Sequence, residues 1–254
     1  MIRVVKVGGR PQSDPSFRRL LASQWDRESA GLVVVHGGGD EDQRAAGRVR
    51  RCRDARGGRR VTTEADVQIV RMALSGSANK RLVSALVDSG IDAVGLSGED
   101  AGLIAAAPVD VETMGYVGRP CRINVAFLEH LLSGGYLPVV SPVSRDATDT
   151  LGTALNVNGD DAAAAIAVAM HANELLLVAD VAGVLCDGRV IEELTPAGAH
   201  AMIADGTASA GMRGQAGSGV ARRGRGRRAS PYFRYQRDCR CESRNVLSAI
   251  GELS

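Results

Sequence analysis

Two short runs of β-branched residues, 2–7 (Ile-Arg-Val-Val-Lys-Val) and 32–35 (Leu-Val-Val-Val), each run into a cluster of glycines. Apolar runs of this length without alternation read as strands buried on both faces, as in a parallel sheet. Further runs at 93–96, 137–140 and 175–178 repeat the pattern. Helical stretches separate them. Asp14 is placed to cap a helix reaching about Glu28, and Thr62 or Thr63 to cap one that carries Glu64 and Asp66 in its first turn. More helix is expected at 77–89, 127–132 and 160–170, and a hairpin excursion at 102–123. The expected fold is therefore α/β, a three-layer αβα sandwich with a mostly parallel sheet, with ligands at the C-terminal strand ends.

The chain has 254 residues, enough for one such domain. No run of about 18 apolar residues marks a transmembrane helix, and the first seven residues do not read as a signal peptide. A cytoplasmic protein without a membrane partner is expected. The five cysteines follow no regular spacing, and Cys239 and Cys241 are too close for a zinc pair. His36, His130, His171 and His200 are scattered, so no metal-binding cluster is expected.

Several short segments carry candidate chemistry. Lys6 precedes Gly8 and Gly9 at a strand end, where a cation and close backbone approach suit phosphate, although a solvated surface lysine fits the pattern too. His36-Gly37-Gly38-Gly39 ends a buried strand and offers backbone N–H groups to an anion. His36 itself reads as an orienting or structural residue. Arg59 and Arg60 stand just ahead of a helix N-terminus, where an arginine clamps a carboxylate. Asn156 and Asn158 share a face if extended, and Asp160 comes next as a cap or as a partner for lysines. Residues 180–185 (Asp-Val-Ala-Gly-Val-Leu) come after the fifth strand as a nucleotide-contacting loop.

The segments V-V-K-V-G-G, V-V-V-H-G-G-G, G-R-R-V-T, G-S-A-N-K-R-L-V, A-V-G-L-S-G-E-D, G-Y-L-P-V-V-S-P, N-V-N-G-D, L-L-V-A-D-V-A-G-V-L and E-L-T-P occur in the order typical of the amino-acid kinase family. Over residues 1–41 and 57–213 the chain resembles that family, and within it the branch that phosphorylates N-acetyl-L-glutamate. The resemblance implies ATP as phosphoryl donor, with Mg2+ carried on the nucleotide, and a homodimer. It implies an N-terminal lobe over 1–155 for substrate binding and dimerisation, and a nucleotide-binding lobe over 156–214. By motif, Lys6 corresponds to the lysine that stabilises the transferring phosphoryl group and Asp160 to the aspartate that organises the catalytic lysines. Gly8 and Gly9 line the phosphate path. Gly38, Gly39, Arg60 and Asn156 correspond to substrate-binding residues, with Arg60 on the α-carboxylate. Asp180, Val181, Ala182, Gly183, Val184 and Leu185, with Thr207, Ala208 and Ser209, correspond to nucleotide-binding segments. Relatives that act on N-succinylglutamate or on carrier-bound aminoadipate share this scaffold. The chain begins at its first strand, which within the family goes with an enzyme insensitive to arginine.

Two stretches depart from the family pattern. The second catalytic lysine is expected after the Gly211-Met212 pair, and that register holds Gln215. Residues 215–254 are rich in arginine and glycine without an apolar period, and are expected to be poorly ordered. At 42–56, Arg44, Arg48 and Arg51 take the core-facing positions of an expected helix. Codons for 215–228 exist that, shifted by one base, read K-L-E-A-A-W-R-A-V-E-G-G-V, a lysine and then an amphipathic helix. Two frame disruptions account for both stretches better than an evolved basic arm does, so a nucleic-acid partner is not favoured. An inactive kinase-fold chain with a basic tail is the rival reading.

Overall fold

The computed structural model describes residues 1–8, 11–28, 31–38 and 59–178. Outside them it describes the backbone of short strands at Ala55–Arg56 (β3), Leu185–Cys186 (β11), Arg189–Val190 (β12), Glu193–Leu194 (β13), Ala221–Arg223 (β14) and Tyr232–Gln236 (β15).

The centre of the sheet is built from the runs that the sequence marks. β1 (Arg3–Val7) lies between β2 (Leu32–His36) and β10 (Glu174–Val178), parallel to both. β2 continues to β8 (Leu137–Asp146), which also pairs in parallel with β5 (Ala93–Gly98). All five residues of β2 are buried, as are Val4, Val5 and Val7 of β1, so both faces of the sheet are covered. That is why these strands lack alternation.

The sheet departs from the parallel pattern at its flanks. β6 (Ile104–Pro108) and β7 (Val117–Ile123) form the antiparallel hairpin expected from 102–123, and β9 (Ala154–Val157) runs antiparallel to β8 but parallel to β7. At the opposite edge, β15 pairs antiparallel with β10. The remaining residues of 213–254 and all of 42–54 lie outside the described residues.

The helices cover the sheet through spaced apolar positions. In α1 (Pro15–Glu28), Phe17, Leu21 and Trp25 are buried one turn apart. Asp14 accepts from Ser16 N at 2.8 Å and starts this helix, as expected. Thr63, rather than Thr62, caps α2 (Glu64–Val70) through a reciprocal pair with Asp66. The helix does not stop before 77. It continues through wider π-type turns over Arg71–Ala78 into α3 (Asn79–Val87), because no proline intervenes and Gly76 is tolerated. α4 (Val111–Met114) and α5 (Val125–Ser133) come next, and then α6 (Gly159–Ala169), whose Ala162, Ala163 and Ile166 are buried. Among the described residues, no helix is long and apolar enough to cross a membrane.

Candidate active site

Because β1, β2 and β10 are parallel, their C-terminal ends meet at one edge, with Val7 beside His36 on one side and Val178 on the other. The first glycine of each motif extends the sheet. Gly8 donates its N–H to Val178 O at 2.8 Å, and Gly37 donates to Val7 O at 3.0 Å. The N–H of Gly8 is therefore committed to the fold, leaving only close approach of its backbone for a phosphate. Gly38 is exposed, and among the described residues no acceptor meets its N–H. Gly9 and Gly39 lie outside the described residues.

The N-terminus of α6 closes the space between the two turns. Asn158 caps this helix by accepting from Asp160 N at 2.7 Å. A side-chain carbon at Gly159 would come within 3.7 Å of Lys6 Cε, 3.7 Å of His36 O and 3.9 Å of Gly37 Cα. Glycine there keeps a shallow space open between the lysine and the turn. Lys6 Nζ sits 2.8 Å from Asp160 Oδ1, both side chains being nearly buried. The structure thus brings together two of the expected catalytic residues, 154 positions apart, over a helix N-terminus that itself favours negative charge. A cation held in place beforehand beside a helix N-terminus is an arrangement that suits a phosphate.

Asn156 lies on β9, just ahead of α6. Its Nδ2 donates to Thr62 Oγ1 at 3.0 Å, and its backbone N donates to Tyr116 O. Tyr116 N in turn donates to Thr62 O. Gly115, with φ of 67°, is required at this crossing, since a side-chain carbon there would lie 2.3 Å from Thr62 O. Thr62, buried beside the arginine pair of its motif, is a member of this group that the sequence offered only as a helix cap. Arg60 lies in a two-residue strand, β4 (Arg59–Arg60), paired with β3, and its side chain is outside the described residues. Asp180 to Val184, Thr207 to Ser209 and Gln215 are also outside them, while Leu185 begins the short strand β11.

Beneath the second glycine turn, His36 is fully buried. Its Nδ1 is 3.1 Å from Gly37 O and its Nε2 is 3.0 Å from Asn79 Nδ2. Burial lowers its pKa to about 4, so the ring is neutral near pH 7 and supplies neither charge nor acid there. Asn79 lies in one of the segments that carry the family resemblance, G-S-A-N-K-R-L-V, but sequence reasoning missed its role. A signal existed: it shares the apolar stripe of Leu82 and Leu86 on α3, where a buried amide is unusual. Gln12 was missed as well, and its Nε2 lies 3.4 Å from Gly37 O.

A sheet with two glycine turns at one edge and a lysine–aspartate pair over a helix N-terminus defines an α/β phosphotransferase. The chain belongs to the amino acid kinase family, whose profile matches residues 1–223. It is 42% identical over 213 residues to the acetylglutamate kinase of Chloroflexus aurantiacus (strain ATCC 29366 / DSM 635 / J-10-fl), covering 83% of each chain. It is 38% identical over 211 residues to that of Geobacillus sp. (strain WCH70), covering 82% of this chain and 80% of the relative. Among solved structures, smu.665 from Streptococcus mutans UA159 superposes with a TM-score of 0.79 at 30% identity, over 85% of this chain and 88% of that one. N-acetylglutamate synthase from Neisseria gonorrhoeae shares the fold with a TM-score of 0.69 at 24% identity, over 85% of this chain and 50% of that one.

Proposed function

We infer that this chain transfers the γ-phosphoryl group of ATP to the γ-carboxylate of N-acetyl-L-glutamate, giving N-acetylglutamyl 5-phosphate and ADP, a step of arginine biosynthesis. The observation that carries the reading is the Lys6–Asp160 pair between the two glycine turns, in a chain so similar to acetylglutamate kinases. A γ-carboxylate oxygen attacks the γ-phosphorus, and the bond from that phosphorus to the bridging oxygen of ADP breaks in line. The acceptor is already ionised at neutral pH, so no general base is needed. Catalysis then consists of holding both anions and neutralising charge on the moving group. Lys6 is the charge partner for that group, and Asp160 keeps Lys6 aimed into the cleft. Gly38 and Gly39 hold the acceptor, Arg60 binds its α-carboxylate, and Asn156 contacts it from the opposite side. Residues 180–185 and 207–209 hold the nucleotide. The Lys6 cation and the N–H groups of the site suit a phosphate chain; Mg2+ carried on the nucleotide would shield its charge. The protein is cytoplasmic and assembles as a homodimer, which light scattering tests.

Gln215 stands where the family's second lysine is expected, and a neutral amide cannot offset charge on the phosphoryl group. The chain as it stands is accordingly a poor catalyst. The deciding experiment measures ADP release with N-acetylglutamate, N-succinylglutamate and no acceptor, in this chain and in Gln215→Lys. Release that depends on N-acetylglutamate and rises at least tenfold in Gln215→Lys is expected, given the roughly 10²–10³ that one such stabiliser contributes. Release that responds only to N-succinylglutamate overturns the substrate assignment. No acceptor-dependent release from either protein, or from a version restored to the alternative frame in both arginine-rich stretches, leaves the inactive reading.

A further inference from the structure

We propose that His36 and Asn79 are positioning residues that set the direction of the Gly38 N–H through the peptide joining it to Gly37. This rests on the reading of Gly38 as an acceptor-binding residue.

Asn79 Nδ2 is 2.9 Å from Val139 O and 3.3 Å from Leu96 O. Both carbonyls only accept, so the amide nitrogen must face them and the side chain cannot be turned over. The two N–H groups go to the two nearer neighbours, Val139 O and His36 Nε2 at 3.0 Å; since an amide nitrogen accepts from nothing, Nε2 is the bare, accepting nitrogen of the ring. The neutral ring then carries its proton on Nδ1, and Nδ1 donates to Gly37 O at 3.1 Å. Gln12 Nε2, in the short helical turn Pro11–Ser13, reaches the same carbonyl at 3.4 Å.

A peptide unit is planar and trans, so the carbonyl of Gly37 and the N–H of Gly38 point in opposite directions. Holding that oxygen on the imidazole sends the N–H away from α3, on the exposed side of the turn. Gly37 Cα and Lys6 Cε both border the space at Gly159, so this turn adjoins the lysine. Two successive glycines turn their shared peptide over with little steric penalty, and a clamp on the oxygen is what selects one orientation. The fold tolerates a cost for this arrangement. Asn79 Oδ1 is buried without a partner among the described residues, and it points at Gly95, where a side-chain carbon would come within 2.1 Å. An orphaned buried acceptor opposes stability, and it marks an amide held for what its nitrogen does.

The test compares two replacements of His36. Asparagine reaches only as far as Nδ1, so His36→Asn keeps a donor for Gly37 O and loses the link to Asn79. Glutamine reaches the place of Nε2, so His36→Gln keeps the outer contact and loses the donor. Nitrogen NMR of the wild-type ring is expected to give protonated Nδ1 and bare Nε2. The Gly38 amide resonance should stay near its wild-type position in His36→Asn and move in His36→Gln. By calorimetry, N-acetylglutamate affinity should fall about tenfold in His36→Gln, as a lost hydrogen bond implies, and about threefold or less in His36→Asn. A ring protonated on Nε2, or Gly38 shifts of equal size in the two variants, overturns the proposal. If the ring and Gly38 behave as stated but the wild-type protein does not bind N-acetylglutamate, the positioning role stands and the substrate assignment falls.

Discussion

Asn156 gives its side-chain amide to the hydroxyl of Thr62 across 3.0 Å, joining the strand ahead of α6 to the segment that carries Arg60. Two expected substrate-binding segments, far apart in the chain, are thus tied by a side-chain hydrogen bond in addition to the backbone links through Tyr116. Thr62→Val keeps the shape and removes the acceptor, freeing the amide to turn. We expect N-acetylglutamate affinity to fall about fivefold to tenfold, the worth of about 1–1.4 kcal/mol, with nucleotide affinity unchanged. Calorimetry with each ligand checks this, and an equal loss for both ligands would disconnect the bond from the acceptor site.

Lys6 and Asp160 differ in what their removal does. Lys6→Met takes away the cation that we assign to the phosphoryl group, and kcat should drop by about 10²–10³. Asp160→Asn leaves the lysine charged but less firmly held, so a smaller drop is expected. Steady-state ADP release, measured in the Gln215→Lys background if the unmodified chain is too slow, separates the two. A larger loss in Asp160→Asn would reverse their roles.

Burial of His36 lowers its pKa from 6.5 to about 4, mainly by desolvation. The unfolded chain then takes up the proton more readily than the folded one between those two values, so stability falls as pH drops from about 6.5 toward 4. The full effect is on the order of 3 kcal/mol, from about 1.4 kcal/mol per pH unit. Urea unfolding at pH 7 and at pH 4.5 should reveal this loss in the wild-type protein and a shallower one in His36→Asn. Equal slopes in both proteins would remove His36 as the cause.

At the edge of the sheet opposite the site, Arg3 Nε and Glu174 Oε2 form a buried ion pair at 2.6 Å on neighbouring strands. Arg3 also reaches Gln24 Oε1 at 2.6 Å, tying α1 to the sheet. Glu174→Ala leaves a buried guanidinium without its counter-charge, and a loss of about 3–5 kcal/mol in unfolding free energy is expected. Glu174→Gln keeps an acceptor and should lose less. Ligand affinity of the folded protein should be unaffected, since the pair lies at the far ends of these strands. Urea titration and calorimetry on the same samples provide both readouts.

Much of the architecture comes from local pattern. Unbroken β-branched runs required strands buried on both faces, glycine clusters placed turns at their ends, and Asp14 was legible as a helix start because capping acts over two or three residues. The motif order also singled out Lys6 and Asp160, which the fold brings together.

Tertiary structure decided the partners. The sequence allowed Thr62 and Thr63 equally as caps; burial of Thr62 against Asn156 left the cap to Thr63. Gly8 looked free to bind phosphate, yet its N–H completes the pairing with β10. Asn79 was one polar residue in a helix, and only the convergence of β2, β5 and β8 on it supplied the acceptors that fix its amide. Periodicity encodes which face of an element is apolar, because that depends on neighbours a few residues away. Which buried polar atoms meet depends on strands brought together from distant parts of the chain, and no local spacing records that.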